Sequence, residues 1–323
     1  MPKTQTPRVV FMGTGEIGLP VLKWLAHSKS VRLVGVVTQP DRPVGRSQVF
    51  TPPPPKRFLG STSVPILQPE KVRRPEALAA IRALAPDLII VTAYGQILPK
   101  ALLEMPSLAC INLHASLLPK YRGAAPIQAA ILAGDRHTGI TIMYMAEGLD
   151  TGDILLTKSI PIRRRETGGS LHDRLGALAP QALEEATNLL LSGHAPRIPQ
   201  DDAAANYAPK LNRSSGLIDW AQSCWELDRH VRAMNPWPGA YTEIAADDGW
   251  IRKLKIHCAL PVHRMHGKEA VVIRTSRRGI LTGCGNGALL LREIQLEGKR
   301  RLFAEEFLHG FRISDGDRLG ATS

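Results

Sequence analysis

The chain has only four cysteines in 323 residues (Cys110, Cys224, Cys258 and Cys284), far apart and with no CxxC pair. That spacing excludes a disulfide framework and a zinc site, and it points to a reducing compartment, the cytoplasm. No apolar run approaches the roughly 20 residues of a membrane span. The opening MPKTQTPRVVFMG lacks the apolar stretch of a secretory signal. Internal repeats and heptads are absent, and no His, Cys, Asp or Glu group has metal-ligand spacing. Acidic residues are scarce, 29 against 41 Lys and Arg, for a net charge of +12. Such a surplus suits a polyanionic partner such as nucleic acid. It falls in two places. Arg42, Arg46, Lys56 and Arg57 share one stretch with no acid after Asp41. Residues 252–278 hold eight Lys and Arg against Glu269 alone. Two such patches suit an extended phosphate backbone.

What is present is a core-forming chain, 44% hydrophobic and long enough for two domains. Apolar strand-like runs at 8–13, 31–38, 87–94 and 108–115 alternate with helix-like segments at 19–28, 75–86 and 124–135. That alternation predicts an α/β domain with a doubly wound, mainly parallel sheet. Two β-rich runs around Ala146–Gly152 predict a hairpin, and residues 170–193 a helix. The Pro-, Asp- and Ala-rich stretch 196–214 reads as a linker between a first domain, 1–195, and a second, 215–323. The second domain opens with a short helix at 224–235. Several short strands follow, which predicts a small β-barrel. Pro52–Pro55 reads as a stiff extended piece of a long loop.

Gly13-Thr14-Gly15-Glu16-Ile17-Gly18 matches the dinucleotide fingerprint GxGxxG between a strand and a helix. The acid that would hold the ribose is missing, because the second strand ends Val36-Val37-Thr38-Gln39-Pro40. The glycines are therefore read as a tight strand-to-helix turn, which weakens an NAD-dependent oxidoreductase. In Cys110-Ile111-Asn112-Leu113-His114, side chains alternate, so Asn112 and His114 share a face at the end of a buried strand. Parallel sheets hold ligands there, although a hydrogen-bonded core pair has the same pattern. Asp150 lies in the turn Glu147–Asp153, where Asp and Gly are ordinary turn residues, and nothing local separates it from Asp153. The loop Ala115–Pro126 runs apolar, then basic-aromatic, then small, as one wall of a pocket for a flat ligand or as a packing loop.

The segment from Ile111 to Leu155 resembles the formyltetrahydrofolate-binding signature of the folate-dependent formyltransferases. The resemblance implies Asn112, His114 and Asp150 as the catalytic set, which separates Asp150 from Asp153. It also implies Ser116, Leu117, Leu118 and Pro119 as the folate-binding element, with 10-formyltetrahydrofolate as donor. Thr38–Arg46, Ala93–Lys100, Gly216–Trp220 and Arg232–Thr242 are similar to the branch of the family that formylates methionine on initiator tRNA. For that branch the second domain is expected to be an OB-like tRNA-binding barrel, and Arg42, Arg46, Lys56 and Arg57 to meet the tRNA. One departure is that Gly45-Arg46 is followed by Ser47-Gln48, where the family often has adjacent lysines. The chemistry implied is oxyanion stabilisation by Asn112 and His114, with Asp150 beside the imidazole. A monomer suffices, with no metal and no membrane. The alternatives are a formyltransferase for a sugar-nucleotide amine, and a non-catalytic RNA-binding protein with a degenerate folate domain.

Overall fold

A computed structural model describes residues 6–45, 47–60, 62–245 and 251–320. The chain divides into two compact units. One is built from residues 1–123, 137–160 and 172–208, the other from 124–136, 161–171 and 209–323.

In chain order the elements begin with β1 (Arg8–Gly13), α1 (Leu19–His27), β2 (Arg32–Val37), β3 (Arg42–Val44), β4 (Val49–Thr51), α2 (Pro54–Leu59) and β5 (Ile66–Leu67). Next come α3 (Pro75–Ala83), β6 (Leu88–Thr92), α4 (Lys100–Leu103), β7 (Ala109–His114), β8 (Arg122–Gly123) and α5 (Pro126–Ala133). Then follow β9 (His137–Tyr144), β10 (Ile154–Pro161), α6 (Gly168–Leu191), β11 (Tyr207–Ala208), α7 (Cys224–Ala233) and β12 (Ala240–Ala245). The last elements are β13 (Ile251–Val262), β14 (Val272–Ser276), β15 (Gly279–Gly283), β16 (Ala288–Leu296), β17 (Leu302–Phe303) and α8 (Ala304–Gly310).

The first unit is built on a seven-stranded sheet in the order β10-β9-β7-β6-β1-β2-β5. The strands β5, β2, β1, β6 and β7 run parallel, and β9 is antiparallel to β7. Strands β6 and β7 are buried at every position, as unbroken apolar runs in a two-faced parallel sheet require. One face packs Val10, Met12, Val37, Ile89 and Val91 on Ile81 of α3 and Leu102 of α4. Fully burying each such side chain contributes about 1.5–3 kcal/mol. The glycine motif serves this packing. A Cβ on Gly13 would lie 2.6 Å from the Phe11 ring, and one on Gly18 3.0 Å from it. Two expectations are corrected. Pro54 and Pro55 do not extend a loop but open α2, where a missing N–H costs nothing. The stretch 42–57 is not one loop but the β3–β4 hairpin followed by that helix.

The second unit is an antiparallel sheet, β12-β13-β16-β15-β14, with β17 added to β16. The chain at 317–320 closes it towards a barrel: Val272 N donates to Asp317 O at 2.8 Å, Leu319 N to Ala270 O at 2.7 Å and Gly320 N to Glu243 O at 2.6 Å. Helix α7 starts on a capping box. Ser223 Oγ accepts from Glu226 N, and Glu226 Oε2 accepts from Ser223 N at 2.9 Å. No helix among the described residues is long and apolar enough to cross a membrane.

His230 of α7 leaves its Nε2 buried without a hydrogen-bond partner. Burial pushes its imidazole pKa down, and a backbone bond to Gly216 offsets part of that. The folded chain therefore resists a proton that the unfolded chain takes up near pH 6.5. Stability rises with pH through that value and is lost as pH falls below it. His257, which burial also pushes down, acts in the same direction. The expected outcome for His230→Gln is a loss of Tm between pH 7.5 and 5.5 that is smaller than the parent's by about 2 °C or more. Parallel curves by calorimetry would remove His230 from this account.

Candidate active site

Strand β7 presents Asn112 and His114 at its C-terminal end, paired in register with Met143 and Thr141 of β9. Both side chains are buried. His114 Nε2 lies 2.8 Å from the carbonyl oxygen of Tyr121. A carbonyl only accepts, so Nε2 carries a hydrogen and Nδ1 is the position where a proton can be taken or given. Nδ1 faces Asp150 Oδ2 at 3.6 Å, ion-pair range but longer than a hydrogen bond. The same Oδ2 accepts from Gly123 N at 2.8 Å. The carboxamide of Asn112 has no hydrogen-bond partner among the described residues. It is a donor on the same face of β7 as His114.

Backbone conformation aims Asp150 inward. Its φ is +53°, in the left-handed region. Gln200 Nε2 donates to the carbonyls of Asp150 at 2.9 Å and Gly152 at 2.7 Å. A Cβ on Gly152 would stand 1.7 Å from the Tyr144 carbonyl oxygen, so this turn needs glycine. Asp153 takes a different place, 3.7 Å from Arg197, whose guanidinium lies 3.6 Å above the Tyr144 ring. Cys110, on the same strand as Asn112, has its thiol pushed up to about 12 by burial. It stays protonated and supplies no nucleophile.

Of the expected folate-binding element, Ser116 and Leu118 are buried. Ser116 Oγ donates to Lys120 O at 2.6 Å, Thr141 Oγ1 donates to Ser116 O at 2.7 Å, and Leu118 N donates to Thr141 Oγ1 at 3.1 Å. Leu117 and Pro119 are half-buried, and Leu117 fills the space where a Cβ on Gly139 would be, 2.6 Å away. The element is thus a braced turn offering two apolar side chains. The loop after β6, the strand beside β7, exposes Ile97 at 84%.

Three of the four expected tRNA-binding cations lie among the described residues. Arg42 is exposed at the start of the β3–β4 hairpin, and Arg46 lies outside the described residues. Lys56 is engaged with Asp41 at 2.9 Å and with Gln68 Oε1 at 2.8 Å. The bond from Gln68, then that from Lys56, holds the Asp41 carboxyl below its usual range. Arg57 stands 3.9 Å from Glu16. Sequence reasoning missed that the hairpin also exposes Val44, Val49 and Phe50, the last at 72%. The β-branched and aromatic residues flanking Gly45 were the available signal. It also missed Gln200, for which the sequence held none. In the second unit, Arg264, Lys268, Arg274 and Arg278 are exposed, and Lys253 lies 4.6 Å over the Tyr241 ring. Among the described residues no three His, Cys, Asp or Glu side chains gather as a metal site.

Residues 7–187 match the family described as formyl transferase, and residues 210–312 the formyl transferase C-terminal domain. A methionyl-tRNA formyltransferase of Geobacter sulfurreducens is 48% identical over 313 residues, covering 97% of this chain and 96% of the relative. One of Bacillus velezensis is 43% identical over 315 residues, covering 97% and 98%. Among solved structures, HypX from Aquifex aeolicus in complex with tetrahydrofolic acid aligns at a TM-score of 0.63 and 18% identity. That alignment takes in 98% of this chain, which spans about half of HypX, 51%. An N-formyltransferase from Helicobacter canadensis, solved with folinic acid and dTDP-3-aminofucose, aligns at 0.63 and 14%, covering 90% and 100%. At these identities the solved structures establish a shared fold.

Proposed function

The chain belongs to the formyl transferase family, and from that membership we propose that it transfers the formyl group of 10-formyltetrahydrofolate to the α-amino group of methionine on initiator tRNA. The observation that carries the acceptor is identity of 43–48% to methionyl-tRNA formyltransferases across almost the whole chain, second unit included. The sugar-nucleotide reading rests on neighbours at 14–19% identity, which share the fold alone. The enzyme is read as a cytoplasmic monomer.

In this reading a neutral amine attacks the formyl carbon, a new C–N bond forms, and the bond from that carbon to the folate nitrogen breaks. An α-amino group with a pKa of about 7.7–8.0 is partly neutral at physiological pH. Asn112 donates its N–H to the formyl oxygen as negative charge gathers there. His114, fixed through Nε2 on Tyr121, uses Nδ1 to move the amine's proton towards the leaving nitrogen, and Asp150 stabilises the charge that passes through the imidazole. Leu117, Pro119 and Ile97 supply apolar surface suited to a flat heterocycle. Arg42 and the exposed hairpin meet the acceptor stem, and the basic strands of the second unit meet phosphates.

Single-turnover formylation with 10-formyltetrahydrofolate tests the reading, with methionine-charged initiator tRNA, methionine-charged elongator tRNA and a UDP-amino-sugar as acceptors. Product is expected on the initiator tRNA. At subsaturating enzyme, its rate should fall by about tenfold or more between 50 and 200 mM salt. Product on the sugar alone would replace the acceptor and leave the basic residues as ordinary surface.

A further inference from the structure

Among the described residues, the side-chain hydrogen bonds of the His114–Asp150 pair both come from one three-residue stretch. The Tyr121 carbonyl receives His114 Nε2, and the Gly123 amide donates to Asp150 Oδ2. Tyr121 is held in the left-handed region, at φ +61°, and Gly123 takes a positive φ of +113° that glycine allows. Residues 198–208, inside the stretch 196–214 that the sequence reads as a linker, hold residues 121–123 there. Asn206 Oδ1 accepts from Tyr121 N, and Asn206 O accepts from Arg122 N at 3.0 Å. Strand β11 pairs with β8, Tyr207 beside Arg122 and Ala208 beside Gly123. Arg122 grips Gln200 Oε1 with Nε at 3.1 Å and Nη2 at 2.9 Å, and reaches Asp202 at 2.7 Å. Through its other end Gln200 holds the Asp150 and Gly152 carbonyls. Ile198 closes the frame by exchanging both backbone bonds with Ile154, at 2.8 and 3.0 Å.

We propose that residues 198–208 form a brace that sets the geometry of the reacting pair, with Gln200 and Asn206 as its positioning residues. Gln200 joins the stretch that contacts His114 to the turn that carries Asp150: its carbonyl end takes Arg122, and its amide end takes the Asp150 and Gly152 carbonyls. Only a carboxamide does both, because one end must accept from a guanidinium and the other must donate to two carbonyls. Asn206 has a simpler task, to accept from Tyr121 N, and a carboxylate does that equally well. The brace follows from His114 and Asp150 being the reacting pair, and its contacts are independent of the acceptor.

The test uses the full chain labelled with 15N-histidine, with His114→Gln to assign the His114 imidazole signals. Gln200→Glu keeps the Arg122 contact and loses both donors. Asn206→Ala loses the acceptor, and Asn206→Asp restores it. A displacement of about 1 Å at a reacting group costs on the order of a hundredfold. We expect Gln200→Glu and Asn206→Ala to shift the His114 signals and lower kcat by about 10- to 100-fold, with KM for donor and tRNA within about twofold. Asn206→Asp should stay within about threefold of the parent. Unchanged His114 signals in the folded variants overturn the proposal, whether kcat holds or falls together with Tm. If the parent formylates no tRNA, the acceptor reading fails, while the imidazole signals still decide the brace.

Discussion

Asp150→Asn is expected to lower kcat by roughly 10²- to 10³-fold, with KM for the tRNA little changed. The substitution isolates charge from shape. Oδ2 of Asp150 is the atom that both accepts from Gly123 N at 2.8 Å and faces His114 Nδ1 at 3.6 Å. An amide oxygen in that place keeps the Gly123 bond and the turn, so the fold and the left-handed φ at 150 survive. What disappears is the negative charge that, in the proposed mechanism, stabilises the imidazole while it carries the proton. Asp150→Ala is a poorer probe, because it also leaves Gly123 N without a partner in a half-buried place. Asp153→Asn is the control. Its carboxylate pairs with Arg197 and has no contact with His114, so its rate should stay within about twofold of the parent. Single-turnover kinetics on charged tRNA read all three. An Asp150→Asn enzyme within threefold of the parent would mean that the carboxylate serves only as a hydrogen-bond acceptor for Gly123.

The parts of this site that could be read from the sequence are those with local causes. Strand β7 is an apolar run whose alternation sets Asn112 and His114 on one face, and the structure places both where the strand ends. The strand–helix alternation gave the parallel sheet because buried strands and amphipathic helices have distinct periods. The glycine motif lost its nucleotide reading for a local reason too, the missing acid, and Phe11 explains the glycines by packing. Other features have no local cause. Asp150 and Asp153 are chemically alike in a turn. They part only because φ at 150 and the Gln200 bonds direct one inward, while Arg197, 44 residues on, attracts the other. Gln200 and Asn206 sit in a stretch of Pro, Asp and Ala with no period, and their partners are 48 to 85 residues away. Lys56 reads as one of four free cations, yet Asp41 and Gln68 engage it across 15 and 12 residues. Long-range polar pairing leaves no periodic trace, and it is what turns a basic count into a few available charges.

Asn112 permits the sharpest separation of catalysis from stability. Most buried polar side chains are held by the protein, so removing one leaves its partner unsatisfied and the fold weakened. The Asn112 carboxamide has no such partner among the described residues, so Asn112→Ala should leave Tm within a few degrees of the parent. Its loss is expected in the chemical step, about 10²- to 10³-fold in kcat, the cost of removing one oxyanion donor. KM for the tRNA should hold, because in the proposed reading Arg42 and the hairpin meet the tRNA outside this strand end. Asn112→Asp is the decisive companion. It keeps the shape of asparagine and replaces the donor by a negative charge on the strand face of His114, where in the proposed mechanism negative charge develops on the formyl oxygen. If Asn112 acts by filling space, Asp outperforms Ala. If it acts by electrostatic stabilisation, Asp is slower than Ala, and raising the pH cannot restore it because no donor returns. The order of the two rates decides the role of Asn112, whichever amine proves to be the acceptor.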